Sequence, residues 1–206
     1  GGVIPKQYVK LGKLSILQYT LNAFLAVAAI ETILIVASPG DKFIDDYSKI
    51  SSRIKIAKVG GITRGESVLN GLKYLDCQAD DWVLVHDAVR CCITPDIVIK
   101  LIASLRKDMV GGILAIPATD TLKQVDSGII ENTIDRRNIF LAQTPQMFRY
   151  ALLLKALSTA DLGSITDEAS GIEELGLKVN IVEGAVTNIK ITNQVDLQLA
   201  TVFLGI

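Results

Sequence analysis

Short runs of β-branched and aliphatic residues recur along this chain, and most are separated by segments of helical period. Residues 32–37, 53–59, 82–85, 112–116, 179–182 and 188–191 have the length and composition of strands. Between them, residues 16–26, 67–75, 95–105 and 196–204 return an apolar residue every three or four positions, as one face of a helix does. Ile33-Leu34-Ile35-Val36 does not alternate with polar residues at all. A strand of that kind needs cover on both faces, which helices provide on the two sides of a mainly parallel sheet. The pattern therefore predicts an α/β fold: a three-layer α/β/α sandwich with a mainly parallel sheet. Half of the 206 residues are hydrophobic, enough for a sizeable core, and no linker, repeat or low-complexity stretch interrupts them. A single domain spanning residues 1–206 is expected.

One stretch departs from this order. Residues 118–142 alternate polar and apolar positions around Asp126-Ser127-Gly128, a turn sequence between two strands. They predict a projecting β-arm, and because an isolated two-stranded arm is marginal in water, the arm is expected to pack on a second subunit as a dimerisation element. Elsewhere Thr94-Pro95 reads as a helix start with proline at the first helical position, which places residues 86–92 in the loop after a strand. In open α/β sheets that strand end is where ligands bind.

Charge and cysteines narrow the functional class. Twenty-one basic against 22 acidic residues leave a net charge of -1. This lacks the broad positive field of a non-specific nucleic-acid binder, so no nucleic-acid partner is expected and any phosphate must be held locally. No apolar run reaches the ~18 residues of a membrane span, so no membrane association is expected either. The start of the chain has no export pattern. Three cysteines, with neither zinc-site nor disulfide-framework spacing, fit a reducing cytoplasm.

Six places could carry chemistry, each with a plainer alternative, which for the last three is an exposed ion pair, a helix N-terminal cap and a strand-edge lysine. Lys6, in Pro5-Lys6-Gln7-Tyr8 before the first helix, can set a compact cation on a phosphate, although most lone lysines are simply solvated. Gly60-Gly61-Ile62-Thr63-Arg64-Gly65-Glu66-Ser67 follows a strand and opens a helix, so its backbone can approach an anion or a base edge; otherwise it is a β-to-α turn capped by Ser67. His86-Asp87-Ala88-Val89-Arg90 ends a strand: Asp87 can hold or orient a metal near phosphates and Arg90 can fork onto a phosphate, or the two pair and His86 packs. Asp135-Arg136 and Thr121 lie on the arm. Thr166-Asp167-Glu168-Ala169-Ser170 introduces a helix, and Asn188-Ile189-Lys190-Ile191-Thr192 is expected to form a late strand carrying one cation.

In this order and at these intervals, together with Gln143-Thr144-Pro145-Gln146, the blocks resemble the 2-C-methyl-D-erythritol 4-phosphate cytidylyltransferases of the non-mevalonate isoprenoid pathway. The likeness runs from Pro5 to Leu204. It implies a nucleotide-diphospho-sugar-transferase-like fold, a homodimer with exchanged arms, CTP and methylerythritol phosphate as substrates, and Mg2+ or another divalent cation as cofactor. Lys6, Lys190 and Asp87 would be catalytic, with Asp87 near the metal, directly or indirectly. CTP would be bound by Lys6, Gly60, Gly61, Arg64, Ser67, Asp87 and Ala88. The acceptor would be bound by Arg90, Thr121, Thr144, Thr166, Lys190 and Arg136, the last from the partner's arm. Family members open with a strand and a glycine-rich loop around the CTP phosphates, and the 206 residues begin after it. A second departure is Cys91-Cys92 after Arg90, where proline usually comes next. Two other readings are a ribitol 5-phosphate cytidylyltransferase, which Asp135 and the block from Thr166 to Ser170 oppose, and a non-catalytic nucleotide-binding protein, which the retained Lys6, Asp87, Arg90 and Lys190 oppose.

Overall fold

Each apolar strand has its two faces claimed by different helices, and this produces the layers. The structure, a computed structural model, describes residues 4–206. After a one-turn 3-10 helix at Lys6–Tyr8 come the short strands β1 (Lys10–Leu11) and β2 (Leu14–Ser15), then α1 (Ile16–Leu25), β3 (Ile33–Val36), β4 (Ile54–Ala57) and α2 (Arg64–Tyr74). β5 (Trp82–Val85), α3 (Pro95–Leu105), β6 (Gly111–Pro117), β7 (Leu122–Asp126) and β8 (Ile129–Ile134) follow. The chain continues with β9 (Phe140–Arg149), α4 (Tyr150–Thr159), α5 (Glu168–Glu174), β10 (Asn180–Glu183) and α6 (Gln194–Leu204). Among the described residues no helix is long and apolar enough to cross a membrane.

The main sheet has the order β10-β6-β9-β5. β10 is parallel to β6, and β9 is antiparallel to both β6 and β5, so three strands run one way and β9 the other. β3 and β4 form a separate parallel pair. Along β6 and β9 the side chains alternate between two cores. Leu114 and Met147 join Ala23 and Phe24 of α1 and Val98, Leu101 and Leu105 of α3 on one face. Ile113, Ala115 and Phe148 join Leu69 and Leu72 of α2, Leu153 and Leu157 of α4 and Ile172 of α5 on the other. This is the three-layer α/β/α arrangement that the apolar strands predict.

Helix starts follow local chemistry. Ser15 Oγ accepts from the Gln18 amide at the head of α1, and Asp167 and Asn193 make capping boxes for α5 and α6. At α2 the cap is Thr63, paired with Glu66, so the helix begins at Arg64, three residues ahead of the start expected at Ser67. The Ser67 hydroxyl instead donates back to the Thr63 carbonyl at 2.9 Å.

One expectation needs correcting, and one strand of the main sheet was not expected. Residues 188–191 are not a strand: Asn188 is fully buried, its amide nitrogen donates to the Thr144 carbonyl at 2.8 Å, and its own carbonyl accepts from Arg90. The segment is held by side chains and by the Ile191 amide on the Val89 carbonyl, 3.0 Å away, rather than by a ladder. The reversed strand β9 escapes a period-2 reading, because its middle, Gln143-Thr144-Pro145-Gln146, is polar and bulged. The arm does form: β7 and β8 pair across a tight turn with Ser127 at φ 48 and Gly128 at φ 83, the left-handed region that glycine enters freely.

Candidate active site

The loops that leave β3, β4 and β5, the bulge of β9, the head of α5 and the segment after β10 converge at one end of the sheets. The bulge is set by register. β9 pairs Gln146 with Ile113 and Gln143 with Leu114, which leaves Thr144 and Pro145 outside the ladder. A cavity here is lined by Arg64, Asp87, Arg90, Gln143, Thr144, Gln146, Thr166, Asp167 and Lys190. Three cations thus face two carboxylates. A second cavity, lined by Tyr8, Ala37, Ser38, Asp41 and Ala88 among others, lies alongside, so the step from Asp87 to Ala88 is the wall between the two.

Asp87 is the focus of the first cavity. Its Oδ1 accepts from Arg64 Nε at 3.1 Å, and its Oδ2 lies 3.1 Å from Lys190 Nζ and 3.5 Å from Arg90 Nε. Burial pushes this carboxyl upward, but Arg64 and then Lys190 outweigh it and hold it below the usual carboxylate range. Asp87 is therefore an anion and a ligand rather than a proton donor. Arg90 is held below the usual arginine value by burial, with Asp87 acting against the shift.

Behind Asp87 runs a hydrogen-bond chain whose direction can be worked out. His86 Nε2 lies 3.2 Å from the Arg90 carbonyl, which only accepts, so Nε2 carries the proton. Nδ1 is then an acceptor, and the Thr144 hydroxyl, 3.0 Å away, donates to it. The same hydroxyl accepts the Asp87 amide at 3.1 Å. Toward a substrate Thr144 can consequently only accept. The ring packs on Phe24 with centroids 4.8 Å apart.

Burial holds the His86 imidazole down to about 4, against the pull of the Arg90 carbonyl and Asp87. The unfolded chain therefore takes up a proton below its value of 6.5, which the folded chain accepts only near 4. This contribution to stability is complete above the unfolded value and is lost as pH falls through the window, by roughly 3 kcal/mol in all. In His86→Asn the unfolding free energy is expected to depend less steeply on pH across that window, as read by urea titrations. An unchanged slope would place the acid sensitivity elsewhere.

On the other side of Asp87, the head of α2 is built for close approach. The Gly60 amide donates to the Ala37 carbonyl at 2.8 Å, and a Cβ on Gly60 would stand 2.9 Å from that oxygen. The Gly61 amide donates to Ser67 Oγ at 3.0 Å, and a Cβ on Gly61 would run into the Glu66 side chain. The Lys6 Nζ donates to the Thr192 carbonyl, two residues beyond Lys190, and the next residues, Gln7 and Tyr8, line the second cavity.

Arg64, Asp87, Arg90, Thr144, Thr166 and Lys190 are thus brought together on one cavity and Ala88 lines the other, while Gly60, Gly61, Ser67 and Lys6 line neither. Thr121 and Arg136 are not: within one chain both are exposed on the arm, and Asp135 is taken by Arg137, whose Nε donates to it at 2.8 Å. Sequence reasoning left Gln143, Gln146 and Asn188 without roles. All three are almost fully buried, and Gln146 ties β9 to α5 by donating to Asp167 and accepting from the Ala169 amide. The visible trace of these roles was polar residues inside otherwise apolar segments.

A pocket that gathers cations around one ionised carboxylate suits the joining of two phosphate-bearing molecules. Beside a second cavity, at the ends of the strands of a three-layer sheet, it defines the chain as an α/β nucleotidyltransferase. Residues 2–205 match the model of the IspD family, 2-C-methyl-D-erythritol 4-phosphate cytidylyltransferase, and the chain belongs to that family. It is similar to the 2-C-methyl-D-erythritol 4-phosphate cytidylyltransferase of Chromobacterium violaceum, at 45% identity over 206 residues covering 100% of this chain and 92% of the relative. The same enzyme of Laribacter hongkongensis is 46% identical over 204 residues, covering 98% and 89%. Among solved structures, that of the Francisella tularensis enzyme superposes with a TM-score of 0.85 at 38% identity, covering 97% of this chain and 93% of the other. A crystal structure of 4-diphosphocytidyl-2C-methyl-D-erythritol synthase reaches 0.90 at 38% identity, covering 97% and 95%.

Proposed function

We propose that the chain transfers the cytidylyl group of CTP to 2-C-methyl-D-erythritol 4-phosphate, giving 4-diphosphocytidyl-2-C-methyl-D-erythritol and pyrophosphate for isoprenoid precursor synthesis. The observation that carries the assignment of roles is Asp87, bonded at once by Arg64 and Lys190 on the wall between two cavities. CTP occupies the side of Ala88, Gly60, Gly61 and Ser67, and the acceptor phosphate the side of Arg90, Thr166 and Lys190. Arg64 serves the nucleotide side through its place at the head of α2, since its guanidinium is engaged by carboxylates.

A phosphate oxygen of the acceptor attacks the α-phosphorus of CTP in line. The new P–O bond forms as the bond to the β-phosphate oxygen breaks, and pyrophosphate leaves with the electron pair. The nucleophile is already anionic, so no base is needed; the demand is alignment and neutralisation of charge. Lys190 and Arg90 bring the acceptor phosphate in, and Lys6 stabilises the charge that develops on the phosphates of CTP. Thr144 accepts a hydrogen bond from a substrate hydroxyl.

The donor set suits Mg2+. Among the described residues no group of three or more His, Cys, Asp or Glu could hold a metal, so Asp87 would supply one ligand, directly or through water, with CTP phosphates and water providing the rest. When bound, the ion neutralises phosphate charge and makes pyrophosphate a better leaving group. Three free thiols agree with a reducing cytoplasm.

The chain acts as one catalytic domain over residues 1–206, paired through the arm at about 118–142. Outward Val125, Ile129 and Ile130, each more than half exposed in a single chain, support a partner surface there. The arm would carry Arg136 to the partner's acceptor site. Deleting residues 121–136 is expected to halve the mass in solution by light scattering; an unchanged mass would sink the dimer. For the reaction itself, pyrophosphate release is measured with CTP, Mg2+ and either methylerythritol phosphate or ribitol 5-phosphate. Release with the former alone is the expected result, and release with ribitol phosphate alone would reassign the acceptor.

A further inference from the structure

Glu168 has no role in the chemistry just described, yet it is 1% exposed at the rim of the site. It is the first residue of α5, and its partner Arg64 is the first residue of α2. Arg64 Nη1 donates to Oε1 of Glu168 at 2.6 Å and Nη2 to Oε2 at 2.9 Å, while Nε of the same guanidinium donates to Oδ1 of Asp87 at 3.1 Å. Two N–H donors on two oxygens is the geometry of an ionised carboxylate, because a protonated acid would set its own O–H against a donor. Arg64 is thereby divided between two carboxylates, with its fork on Glu168 and a single N–H on Asp87.

The division matters for what Asp87 has left. Its Oδ2 is available to Lys190 at 3.1 Å. Guanidinium groups favour two-point contact with a carboxylate, and a lysine holds only as a point charge. With no acceptor behind it, Arg64 would turn its fork onto Asp87 and displace Lys190 from Oδ2. We propose that Glu168 is a positioning residue that holds Arg64 back from Asp87, keeping Oδ2 for Lys190 and tying the first turn of α2, on the nucleotide side, to the first turn of α5, on the acceptor side. Gln146 completes the tie by fixing the head of α5 to β9 through Asp167 and the Ala169 amide. The inference rests on the reading of Asp87 and Lys190 given under the proposed function.

A buried pair can also be a plain structural staple, and the test separates the two. Removing one partner of a buried pair strands the other charge, whereas replacing both by neutral groups of similar shape is tolerated. Glu168→Gln and Arg64→Gln are each expected to lower the melting temperature. The double variant is expected to recover it to within a few degrees. In Glu168→Gln the guanidinium is released toward Asp87, so kcat for pyrophosphate release, at saturating CTP and methylerythritol phosphate and well below the melting temperature, is expected to fall at least tenfold. A lysine at position 64 cannot fork onto Asp87, so adding Glu168→Gln to Arg64→Lys is expected to leave kcat within threefold of Arg64→Lys alone. Wild-type kcat in Glu168→Gln, or the same loss on adding Glu168→Gln to Arg64→Lys as to wild type, would leave a staple and overturn the proposal. Asp87→Asn is measured alongside in the full-length protein. Wild-type kcat there would remove the site reading itself, whereas a drop in Asp87→Asn combined with wild-type kcat in Glu168→Gln would remove only the role of Glu168.

Discussion

Lys190→Ala is expected to lower kcat/KM for the acceptor by about 10²- to 10³-fold, roughly 3 to 4 kcal/mol of transition-state stabilisation. Lys190 reaches the carboxylate of Asp87 from the open side of the cavity, with its side chain 44% exposed. Its ammonium can therefore leave Asp87 for an incoming phosphate without breaking anything buried. Truncation strands no charge, because Asp87 keeps Arg64 at 3.1 Å and Arg90 at 3.5 Å. The fold should accordingly be undisturbed, and the variant should melt within a degree or two of wild type. Steady-state pyrophosphate release at varied acceptor concentration, run beside a thermal scan, checks both halves of the statement. A kcat/KM within threefold of wild type would mean that the acceptor phosphate is neutralised by other groups and that Lys190 only screens Asp87.

The largest effect on stability is expected at Phe148. This ring is fully buried in β9, opposite Val83 of β5 and Gly111 of β6, and it joins the core formed with α2, α4 and α5. Phe148→Ala removes the ring's transfer free energy and leaves a cavity among side chains that already interdigitate, for a loss of about 3 to 5 kcal/mol. In a chain of this length that corresponds to a fall in melting temperature of roughly 10 °C. Gly111 cannot fill the space, because a Cβ there would collide with the Met147 carbonyl and the position sits at φ 131. Phe148 lies two residues beyond Gln146, outside the cavity, so kcat measured well below the melting temperature should change little. Differential scanning calorimetry checks the shift, and a loss below 1 kcal/mol would show that neighbouring leucines collapse into the gap.

Much of the site was legible because its residues sit in short blocks whose local chemistry is self-contained. Thr94-Pro95 marks the head of α3, and so puts Asp87 and Arg90 in the loop after β5. The glycines before α2 announce a close approach that Gly60 makes against Ala37. Other features depend on partners far away in the chain. Asn188 reads as part of a strand until its amide is seen to be used by Thr144, 44 residues away. Glu168 reads only as part of a block that introduces a helix, until Arg64, 104 residues earlier, is found across it.

The sequence by itself determined strands β3 to β6 and β10 and helices α1, α2, α3 and α6, that both faces of the sheet are covered, that an arm projects, and which blocks supply the charges of the site. Apolar period, caps and turn residues act over a few positions, so a linear reading captures them. Only the tertiary structure decided that β9 runs against its neighbours with a bulge at Thr144, that the Thr144 proton is given to His86, and that one arginine is shared between Asp87 and Glu168. Those outcomes are set by register and by competition among buried donors and acceptors, quantities that exist only once segments distant in the chain have been packed together.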